Sequence, residues 1–567
     1  MKYGERQAAF TLLGHITRRQ PGNEVGRQQY QSLKPYATNM WKQALLAASV
    51  AGATTEPIRI PSAPNVDSVP GQSFISYSIE LSSFPDFAGN KSNPNTFTDN
   101  LLTNIGNIAG SKPYIRVGGN TQDFALYNAS LRTQINGTYD PQRSNDYPTT
   151  IYLGPSFFES YQTLPGVRFS HGFNLGKGAV SAEGWQALVD TAPLACKALG
   201  RDRFYGYEYG NEPNNFNLGG KYRPRNTSWD AEDYVREWRN GTAEIRRQMR
   251  KHCPELEDKY LTFMAPSYDD RASSLPAVEV WKLGLDENND INTYSVHNYI
   301  DGAASPGVTL QHTLMNHTRT TRDVDEQVRR YKNIVAAGKG TAPLIFGETN
   351  SLYNQGKPGL SNSFGAALWG LDFNLYSAAA GYQRVHMHQG TNYRYQSWQP
   401  VDTHKAPKGT KAPYYGNIAA ASALSNLLSG NVSVTSLPLV SDAEAAYAIY
   451  EGGRLRRVLA INMRGYNTTK DGAGVNPLPA PKPRPSRTFS FAVGHVDRLA
   501  TVQRLMANGS DAITGITYDG WSYNYELDNG KPVRLRNVTT GETLKVSGGV
   551  VTVHVPDSSA ALLHIGD

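Results

Sequence analysis

Between residues 73 and 430, short apolar runs alternate with longer segments in which apolar residues recur every three or four positions. The short runs are typical of buried strands and the longer segments of amphipathic helices. Eight strands are predicted, at 74–81, 114–117, 167–173, 204–209, 261–265, 293–297, 344–346 and 383–388. The clearest helices are predicted at 182–199, 231–251, 323–337, 363–380 and 414–428. Eight such units predict an α/β fold, a closed parallel (β/α)8 TIM barrel.

A doubly wound sheet is the alternative architecture for this alternation. It is less favoured because no glycine-rich phosphate loop follows any predicted strand. The barrel is therefore expected to be the catalytic domain, at residues 73–430.

After residue 430 the pattern changes to short β-rich segments separated by Gly-Gly, Asn-Gly and Pro-Asp turns. The predicted strands are 446–450, 458–462, 488–492, 543–546, 550–555 and 561–565. We interpret residues 431–567 as an antiparallel β-sandwich domain. Residues 54–72 form an N-terminal segment, in which the apolar residues 58–60 are candidates to pair with this sandwich.

The first 53 residues have the composition of a leader rather than of a folded domain. Residues 1–39 are polar, whereas residues 40–53 combine Lys42, a short apolar run and an Ala-Gly-Ala cleavage site. This layout predicts a signal peptide at 40–53 and a secreted protein. A disordered leader or an organelle-targeting peptide is the alternative, since residues 1–39 are basic and rich in glutamine.

The charge of the chain is concentrated in this leader. Residues 1–53 carry a net charge of +5, which leaves only +2 of the +7 of the whole chain for the remainder. We therefore infer neither a nucleic-acid partner nor a membrane-surface partner from the charge. No window approaches 20 apolar residues, so no membrane span is predicted. We expect a monomer.

Glycosylation motifs and cysteines bear on the compartment. The chain has ten Asn-x-Ser/Thr sequons, a density that suits a secreted, N-glycosylated protein. They begin at Asn90, Asn128, Asn136, Asn226, Asn240, Asn316, Asn431, Asn467, Asn508 and Asn537. The two cysteines, Cys196 and Cys253, lie near the ends of successive predicted helices, where either a disulfide or two buried thiols would fit.

Two predicted strands deliver a glutamate to the same end of the barrel. The aromatic strand 204–209 is followed by Gly210, Asn211 and Glu212, and the apolar run at 344–346 is followed by Gly347 and Glu348. These are the fourth and seventh strands, which face each other across the mouth of a barrel. Taken alone, a strand-end acid is as easily explained by a structural ion pair. The pair of acids instead favours catalysis.

Two facing carboxylates are what hydrolysis of a glycosidic bond through a covalent intermediate requires. We assign Glu348 as the nucleophile and Glu212 as the acid/base. The aromatic strand before Glu212 is expected to raise its pKa by desolvation, so that it holds its proton until transfer. Asn211 would donate to the 2-hydroxyl of the sugar, a bond that strengthens in the transition state.

These motifs resemble the retaining glycosidases of clan A. Within the clan, Ile115 to Asn120 (Ile-Arg-Val-Gly-Gly-Asn), Ser295 to Tyr299 (Ser-Val-His-Asn-Tyr) and the C-terminal sandwich resemble glycoside hydrolase family 79, the β-glucuronidase and heparanase family. The resemblance covers nearly the whole chain from residue 73. It implies a glucuronic-acid-containing glycan as substrate, no cofactor, and an enzyme of the fungal secreted kind.

The resemblance also implies roles for further residues. Tyr353, the loop from Asn354 through Gly356 to Gly359, and Tyr395 look like the tyrosines and loop that bind the sugar carboxylate. Glu80 and Asn120 are candidates for the sugar hydroxyls. Tyr299 is expected to hydrogen-bond Glu348, while His297 and Tyr268 are expected to line the same mouth.

Other barrel residues are given structural roles. Arg116 is expected to bridge acids inside the barrel. His386 and His388 share one strand face without a third ligand, so a role in the barrel interior is preferred and no metal site is predicted.

Three functions remain open at this point. The leading one is an exo-β-glucuronidase that removes terminal glucuronic acid or its 4-O-methyl form. A heparanase-like endo-β-glucuronidase is less favoured because few Lys/Arg clusters occur in the barrel loops, apart from residues 322–332, which have the pattern of an amphipathic helix. A carbohydrate-binding protein on an inactive barrel would be expected to have lost one glutamate, and both are present.

Overall fold

The computed structural model describes residues 56–64, 69–219, 223–256, 260–269, 275–494 and 498–566. The predicted leader at 1–53 lies outside these residues. Eight parallel strands close into a barrel and pair in the order of the sequence. They are β1 (Ile75–Glu80), β2 (Ile115–Gly118), β3 (Phe169–Phe173), β4 (Phe204–Tyr209), β5 (Phe263–Tyr268), β6 (Ile291–Gly302), β7 (Leu344–Tyr353) and β8 (Arg384–Gln389). The predicted barrel is confirmed.

Helices connect most of these strands on the outside of the barrel. Those of at least six residues are Thr96–Ala109, Ala182–Arg203, Ala231–His252, Ala277–Lys282, His317–Ala336, Phe364–Ala379 and Ala412–Ala423. Side-chain caps begin several of them: Ser181 accepts from Gly184 N, and Asp230 accepts from Asp233 N. In Ala231–His252, the buried positions include Tyr234, Trp238, Ile245 and Met249, the face that the apolar spacing predicts.

The connection between β2 and β3 departs from the predicted alternation. It contains a small sheet of Ala125–Tyr127, Ile135–Thr138 and Thr150–Leu153, flanked by the 3-10 helices Asn120–Phe124 and Pro155–Gln162. Residues 139–149 therefore form a loop of a β insertion, which brings new side chains to the barrel mouth.

Strands β6 and β7 run further than predicted. They remain paired beyond the barrel, with Tyr299 opposite Asn350 and Gly302 opposite Tyr353. Glu348 consequently lies within β7, and the expectation that it follows the end of this strand is wrong. The polar run Thr349, Asn350 and Ser351 has the composition of a turn, but its backbone continues the ladder with β6.

The C-terminal strands form two sheets. The larger contains Val432–Leu437, Glu444–Glu451, Arg454–Asn462, Leu499–Met506, Thr517–Tyr518, Trp521–Ser522, Val533–Arg534, Glu542–Lys545 and Ser559–Ile565. The smaller contains Ser486–Ala492 and Val550–Pro556, and the N-terminal strand Ile58–Arg59 pairs in parallel with Ser486–Ala492. The predicted antiparallel sandwich is thus present.

The larger sheet is buried on both faces. Along Glu444–Glu451, Ala445, Tyr447 and Ile449 join the hydrophobic core of the barrel, whereas Ala446, Ala448 and Tyr450 join a second core shared with the smaller sheet. This alternation follows the two-residue period of a strand. Barrel and sheets consequently share one continuous apolar interface.

A disulfide links two barrel helices. Cys196 in Ala182–Arg203 is bonded to Cys253, which directly follows Ala231–His252. Of the two alternatives that the sequence left open, the structure has the bridge. Among the described residues, no helix combines the length and the apolar character that crossing a membrane requires.

A buried ionic cluster lies where the barrel meets the larger sheet. His317 Nδ1 lies 3.0 Å from Asp372 Oδ1, and the hydroxyl of Tyr447 donates to the same oxygen at 2.6 Å. Burial opposes the charged imidazole, but the charge of Asp372 and its hydrogen bond raise the pKa of His317 above its ordinary value.

We expect the His317–Asp372 pair to make stability depend on pH. Because the folded-state pKa of His317 is raised, its contribution is fully present below the ordinary histidine pKa and is lost as pH rises through the folded-state pKa. Urea unfolding of wild type and His317→Gln should therefore differ most at pH 5.5 and least at pH 9. His312→Gln, at an exposed position, is the control. A difference that grows with pH would contradict the expectation.

Candidate active site

Glu348 is held at both carboxylate oxygens. Arg116 donates from Nη1 to Oε2 at 2.6 Å, and the Tyr299 hydroxyl donates to Oε1 at 2.8 Å. His388 Nδ1 lies 3.6 Å from Oε2. Charge-assisted bonds of this kind fix the orientation of a carboxylate and favour its ionised form.

The electrostatics of Glu348 suit a nucleophile. Burial alone would raise its pKa, but His388, His297, Arg116 and the Tyr299 hydroxyl together hold it well below its usual range. Arg116 is charged at every relevant pH, so it favours the ionised form of Glu348 over the whole pH range. Burial raises the pKa of Tyr299 well above its ordinary value, so this phenol keeps its proton and remains a donor.

Glu212 follows β4 at a sharp turn. It adopts φ +49°, a left-handed conformation uncommon for residues other than glycine. Its Oε1 lies 3.1 Å from His297 Nδ1, and its Oε2 accepts from Asn215 Nδ2 at 3.2 Å. The side chain is 13% exposed, against 5% for Glu348, so it borders the cavity that holds the two carboxylates.

His297 is buried beneath Glu212. Burial lowers the pKa of His297 to about 4, so the imidazole is neutral at higher pH. A cationic imidazole would favour ionised Glu212, whereas a neutral one exerts no such effect. His297 therefore acts on Glu212 from below and does not line the cavity. The structure thus does not support the predicted contact of His297 with substrate.

The two glutamates lie close enough for a covalent mechanism. Atoms of Glu212, His297 and Glu348 lie within 4.8 Å of one another. Retaining glycosidases hold their carboxyl groups about 5–5.5 Å apart, and inverting ones place them further apart to admit a water. The same three residues could in principle contact a cation, but the guanidinium of Arg116 on Glu348 opposes a second positive charge there.

Arg116 bridges several polar groups in the barrel interior, as predicted. Besides Glu348, it pairs with Glu208 at 2.6 Å and donates from Nη2 to Oδ1 of Asn211 at 2.7 Å. Ser78 accepts from Nη1 at 3.0 Å. Because Arg116 occupies the carbonyl oxygen of Asn211, the amide nitrogen is the end of this side chain that remains for a ligand.

A cavity of about 400 Å³ opens above the two glutamates. Eight predicted site residues line it: Glu80, Asn120, Glu212, Tyr299, Glu348, Tyr353, Asn354 and Tyr395. Gln355, part of the predicted carboxylate-binding loop, also lines it, and so does His388, for which a role in the barrel interior was expected. Sequence reasoning missed eight others: Gln142, Arg143, Tyr147, Asn215, Gly219, Arg223, Asp269 and Tyr393.

Three further predicted contacts do not border this cavity. Tyr268 packs its ring 6.1 Å from Tyr234 within the hydrophobic core. The N–H of Gly356 donates to Leu352 O at 3.0 Å, so it is not free for a sugar carboxylate. Asn211 is nearly fully buried, and its side-chain oxygen accepts from Arg116 at 2.7 Å. The first two predicted contacts are corrected by these positions.

Glu80 is anchored on the opposite side of the mouth. Its Oε1 accepts from the N–H and the hydroxyl of Thr121 at 2.8 and 2.6 Å, and its Oε2 accepts from Tyr393 at 3.1 Å. The Tyr393 and Tyr395 rings meet edge to face at 5.6 Å, and Tyr147 packs against both. Glu80 thus presents a fixed acceptor beside an aromatic wall.

Some of the missed residues carried a signal in the sequence. Asp269 directly follows β5 as a strand-end acid, and it accepts from Asn214 and Asn215 at 2.6 and 2.8 Å. His388, whose place at the cavity was not predicted, lies near the end of β8, the position that supplies catalytic residues in barrels. Tyr147, in contrast, comes from the β insertion, whose path the local pattern does not predict.

Comparison with known proteins places this site in a family. Residues 446–562 match the glycosyl hydrolase family 79 C-terminal beta domain. A beta-glucuronidase of Neurospora crassa is 55% identical over 486 residues, which cover 82% of this chain and 87% of the relative. A beta-glucuronidase of Aspergillus niger is 51% identical over 500 residues, which cover 87% of this chain and 90% of the relative.

A solved structure extends the likeness to the fold. The 4-O-alpha-L-rhamnosyl-beta-D-glucuronidase of Fusarium oxysporum, in complex with Rha-GlcA, superposes with a TM-score of 0.72 at 26% identity. The match covers 90% of this chain and all of that structure. With relatives above 50% identity over more than four fifths of its length, the chain belongs to glycosyl hydrolase family 79.

Proposed function

We propose that this protein is a retaining exo-β-glucuronidase that removes terminal glucuronic acid from glycans. The observation that carries the proposal is the pair Glu212 and Glu348, with atoms within 4.8 Å in one cavity. The names of the fungal relatives support the glucuronide as the substrate class.

The residues have distinct roles in two steps. Glu348, ionised and oriented by Arg116 and Tyr299, attacks the anomeric carbon while Glu212 gives its proton to the leaving oxygen. Glu212 then removes a proton from water, which attacks the same carbon and releases Glu348. Asn211, fixed by Arg116, donates its amide to the 2-hydroxyl. Two displacements retain the configuration of the sugar.

The turn after β7 supports recognition of the glucuronate carboxylate. Asn354 and Gln355 have φ of +63° and +61°, and both border the cavity. Within the described part of the chain, neither backbone N–H has an acceptor. Arg394 holds the turn from behind by donating to Gly356 O at 3.2 Å. Two such N–H groups beside Tyr395 form a donor set for a carboxylate.

The β insertion supports exo action. Gln142, Arg143 and Tyr147 line the cavity on the side of Tyr393 and Tyr395. Asp146 accepts from Arg394 Nη1 at 2.8 Å and from Lys405 Nζ at 2.9 Å, which ties the insertion to the loop after β8. Side chains of the insertion at this position leave room in the cavity for a terminal sugar, but not for a glycan chain that continues beyond it.

The alternatives gain no comparable support. A cleft for a sulfated chain would need an extended row of exposed cations. Arg143 and Arg223 border the cavity, but the basic residues Arg322, Arg329 and Arg330 pair with acids of their own helix and do not border it. A binding protein would not need an ionised glutamate facing a second glutamate within 4.8 Å.

We expect hydrolysis to be confined to glucuronides. Aryl β-glucuronide and its 4-O-methyl derivative should be tested beside the matching β-glucoside, β-xyloside and β-glucuronamide, a neutral isostere of the substrate. The carboxylate donors should make the free glucuronide the faster substrate by about tenfold or more over the amide. NMR of the first product should show the β-anomer. A first product of α configuration, or equal rates on glucoside and glucuronide, would overturn the proposal.

We propose further that the protein is secreted and N-glycosylated. All ten sequon asparagines are exposed or half-buried in the described structure, and the Cys196–Cys253 disulfide suits an oxidising compartment. Expression in a secreting eukaryotic host should give medium-borne protein without residues 1–53, and its mass should fall on treatment with peptide N-glycosidase. Full-length protein retained in the cell without glycans would contradict this.

A monomer fits the proposed activity. Both glutamates of the proposed catalytic pair border one cavity of a single chain. Light scattering on the purified enzyme at its assay concentration should give the mass of a single chain plus glycans.

A further inference from the structure

The backbone at the tip of β4 requires a partner that the barrel sheet does not supply. Gly210 N–H still donates to Phe173 O of β3 at 3.1 Å, and Glu212 N–H donates to Ser267 O of β5 at 3.0 Å. Gly210 and Glu212 both have positive φ, +93° and +49°, so the chain turns sharply around Asn211. The N–H of Asn211 turns away from both neighbouring strands, and a buried N–H needs an acceptor.

Asp123 provides that acceptor. Its side chain is buried in the 3-10 helix Asn120–Phe124, which follows β2. Oδ2 accepts from Asn211 N at 2.8 Å, while Oδ1 accepts from Leu175 N and Gly176 N at 3.0 and 2.9 Å. A single side chain thus joins the ends of β2, β3 and β4 through three hydrogen bonds, and burial raises the pKa of Asp123 to about 7.

This arrangement fixes catalytic groups without touching the substrate. Asp123 does not border the cavity, whereas Glu212, the residue after Asn211, does. The peptide of Asn211 is held by Asp123 and its side-chain oxygen by Arg116, at 2.7 Å. The amide of Asn211 is therefore oriented from two sides, and the same turn sets the direction of Glu212.

We propose that Asp123 is a positioning residue for glycoside hydrolysis, which acts by holding the Asn211 peptide so that the Asn211 amide and Glu212 meet the sugar correctly. The inference rests on the proposed function, because it requires a substrate whose 2-hydroxyl and leaving oxygen these groups contact. It adds a residue that no resemblance or comparison named.

Asp123→Asn isolates the bond to Asn211. With its oxygen toward Leu175 and Gly176, the new side chain keeps two of the three bonds. Its NH₂ group then faces the N–H of Asn211, donor against donor. We expect kcat for aryl β-glucuronide to fall about 100-fold, as displacements of about 1 Å do elsewhere, with KM changed less than threefold. The thermal midpoint should remain close to that of wild type.

Two comparisons separate positioning from general damage. The double variant with Asn211→Ala should lose less than the product of the two single-variant losses, because part of the effect of Asp123 acts through the Asn211 amide. Replacing the 2-hydroxyl of the substrate by hydrogen should also lower the kcat of wild type by a larger factor than the kcat of Asp123→Asn. Asp99→Asn is the control. Asp99 is half-buried and pairs with Lys112 outside the site, so this change should leave kcat unchanged.

Asp123→Ser is the second variant, since its small side chain leaves room for water at the freed N–H groups. A folded Asp123→Asn or Asp123→Ser with wild-type kcat would overturn the proposal. Additive losses with Asn211→Ala, or unfolding of both variants, would equally overturn it by assigning Asp123 to stability alone. Wild-type inactivity on every glucuronide is a separate result, visible before any variant is compared, and it removes the proposed function itself.

Discussion

Glu348→Gln is expected to lower kcat for aryl β-glucuronide by on the order of 10⁴- to 10⁶-fold. The amide keeps the shape of the carboxylate, but its single oxygen can accept from only one of Arg116 and Tyr299, and it cannot form the covalent bond to the anomeric carbon. The measurement is the rate of aryl release under saturating substrate, with circular dichroism to show that the fold is retained.

Glu348→Ala supplies a sharper version of the same test. Azide added to this variant should fill the space of the missing carboxylate, attack the anomeric carbon directly and give the α-glucuronosyl azide. Glu326→Gln is the matched control, because Glu326 pairs with Arg329 and Arg330 on an outer helix. Its rate should equal that of wild type. Residual activity of Glu348→Ala above about 1% without azide would remove Glu348 from the role of nucleophile.

Glu212→Gln should produce a loss that depends on the leaving group. For sugar or alkyl leaving groups, which need protonation, kcat/KM should fall about 10²- to 10⁴-fold. For a dinitrophenyl group, which departs as an anion, kcat/KM should stay near the wild-type value. The second step still lacks its base, so a covalent glucuronosyl-enzyme should accumulate on Glu348 and be visible by mass spectrometry.

The product formed with azide distinguishes loss of Glu212 from loss of Glu348. Azide can replace water in the second step, where no base is needed, and should give the β-glucuronosyl azide from Glu212→Ala. A uniform slowdown across all leaving groups would show that Glu212 acts through the shape of the site rather than through proton transfer.

The barrel and its two glutamates were predictable because their signals are local. Each buried strand is a short apolar run, each outer helix has its apolar spacing, and an acid behind Gly210 or Phe346-Gly347 is visible within a few residues. The assignment of Glu348 to a strand end failed for the same reason. Thr349 to Ser351 look polar locally, and only pairing with β6 keeps them in the ladder.

The remaining features depend on distant contacts. Asp123 is 88 residues from Asn211, and Asp146 is 248 residues from Arg394, so no local pattern connects them. His297 appeared to be a ligand because it lies on the correct strand, yet its depth below Glu212 is set by packing. Tyr268 was misplaced because Asp269, the next residue, reaches the cavity in its stead.

The larger C-terminal sheet packs apolar side chains on both of its faces, and this limits how the protein can evolve. Its match to a recognised domain begins at residue 446, inside the strand Glu444–Glu451, whose alternate side chains belong to the barrel core. Recombination that transplanted this module alone would expose the apolar face that packs on the barrel and would leave the matching barrel surface uncovered. We therefore expect barrel and sheet to have been inherited together, diverging as a single heritable unit.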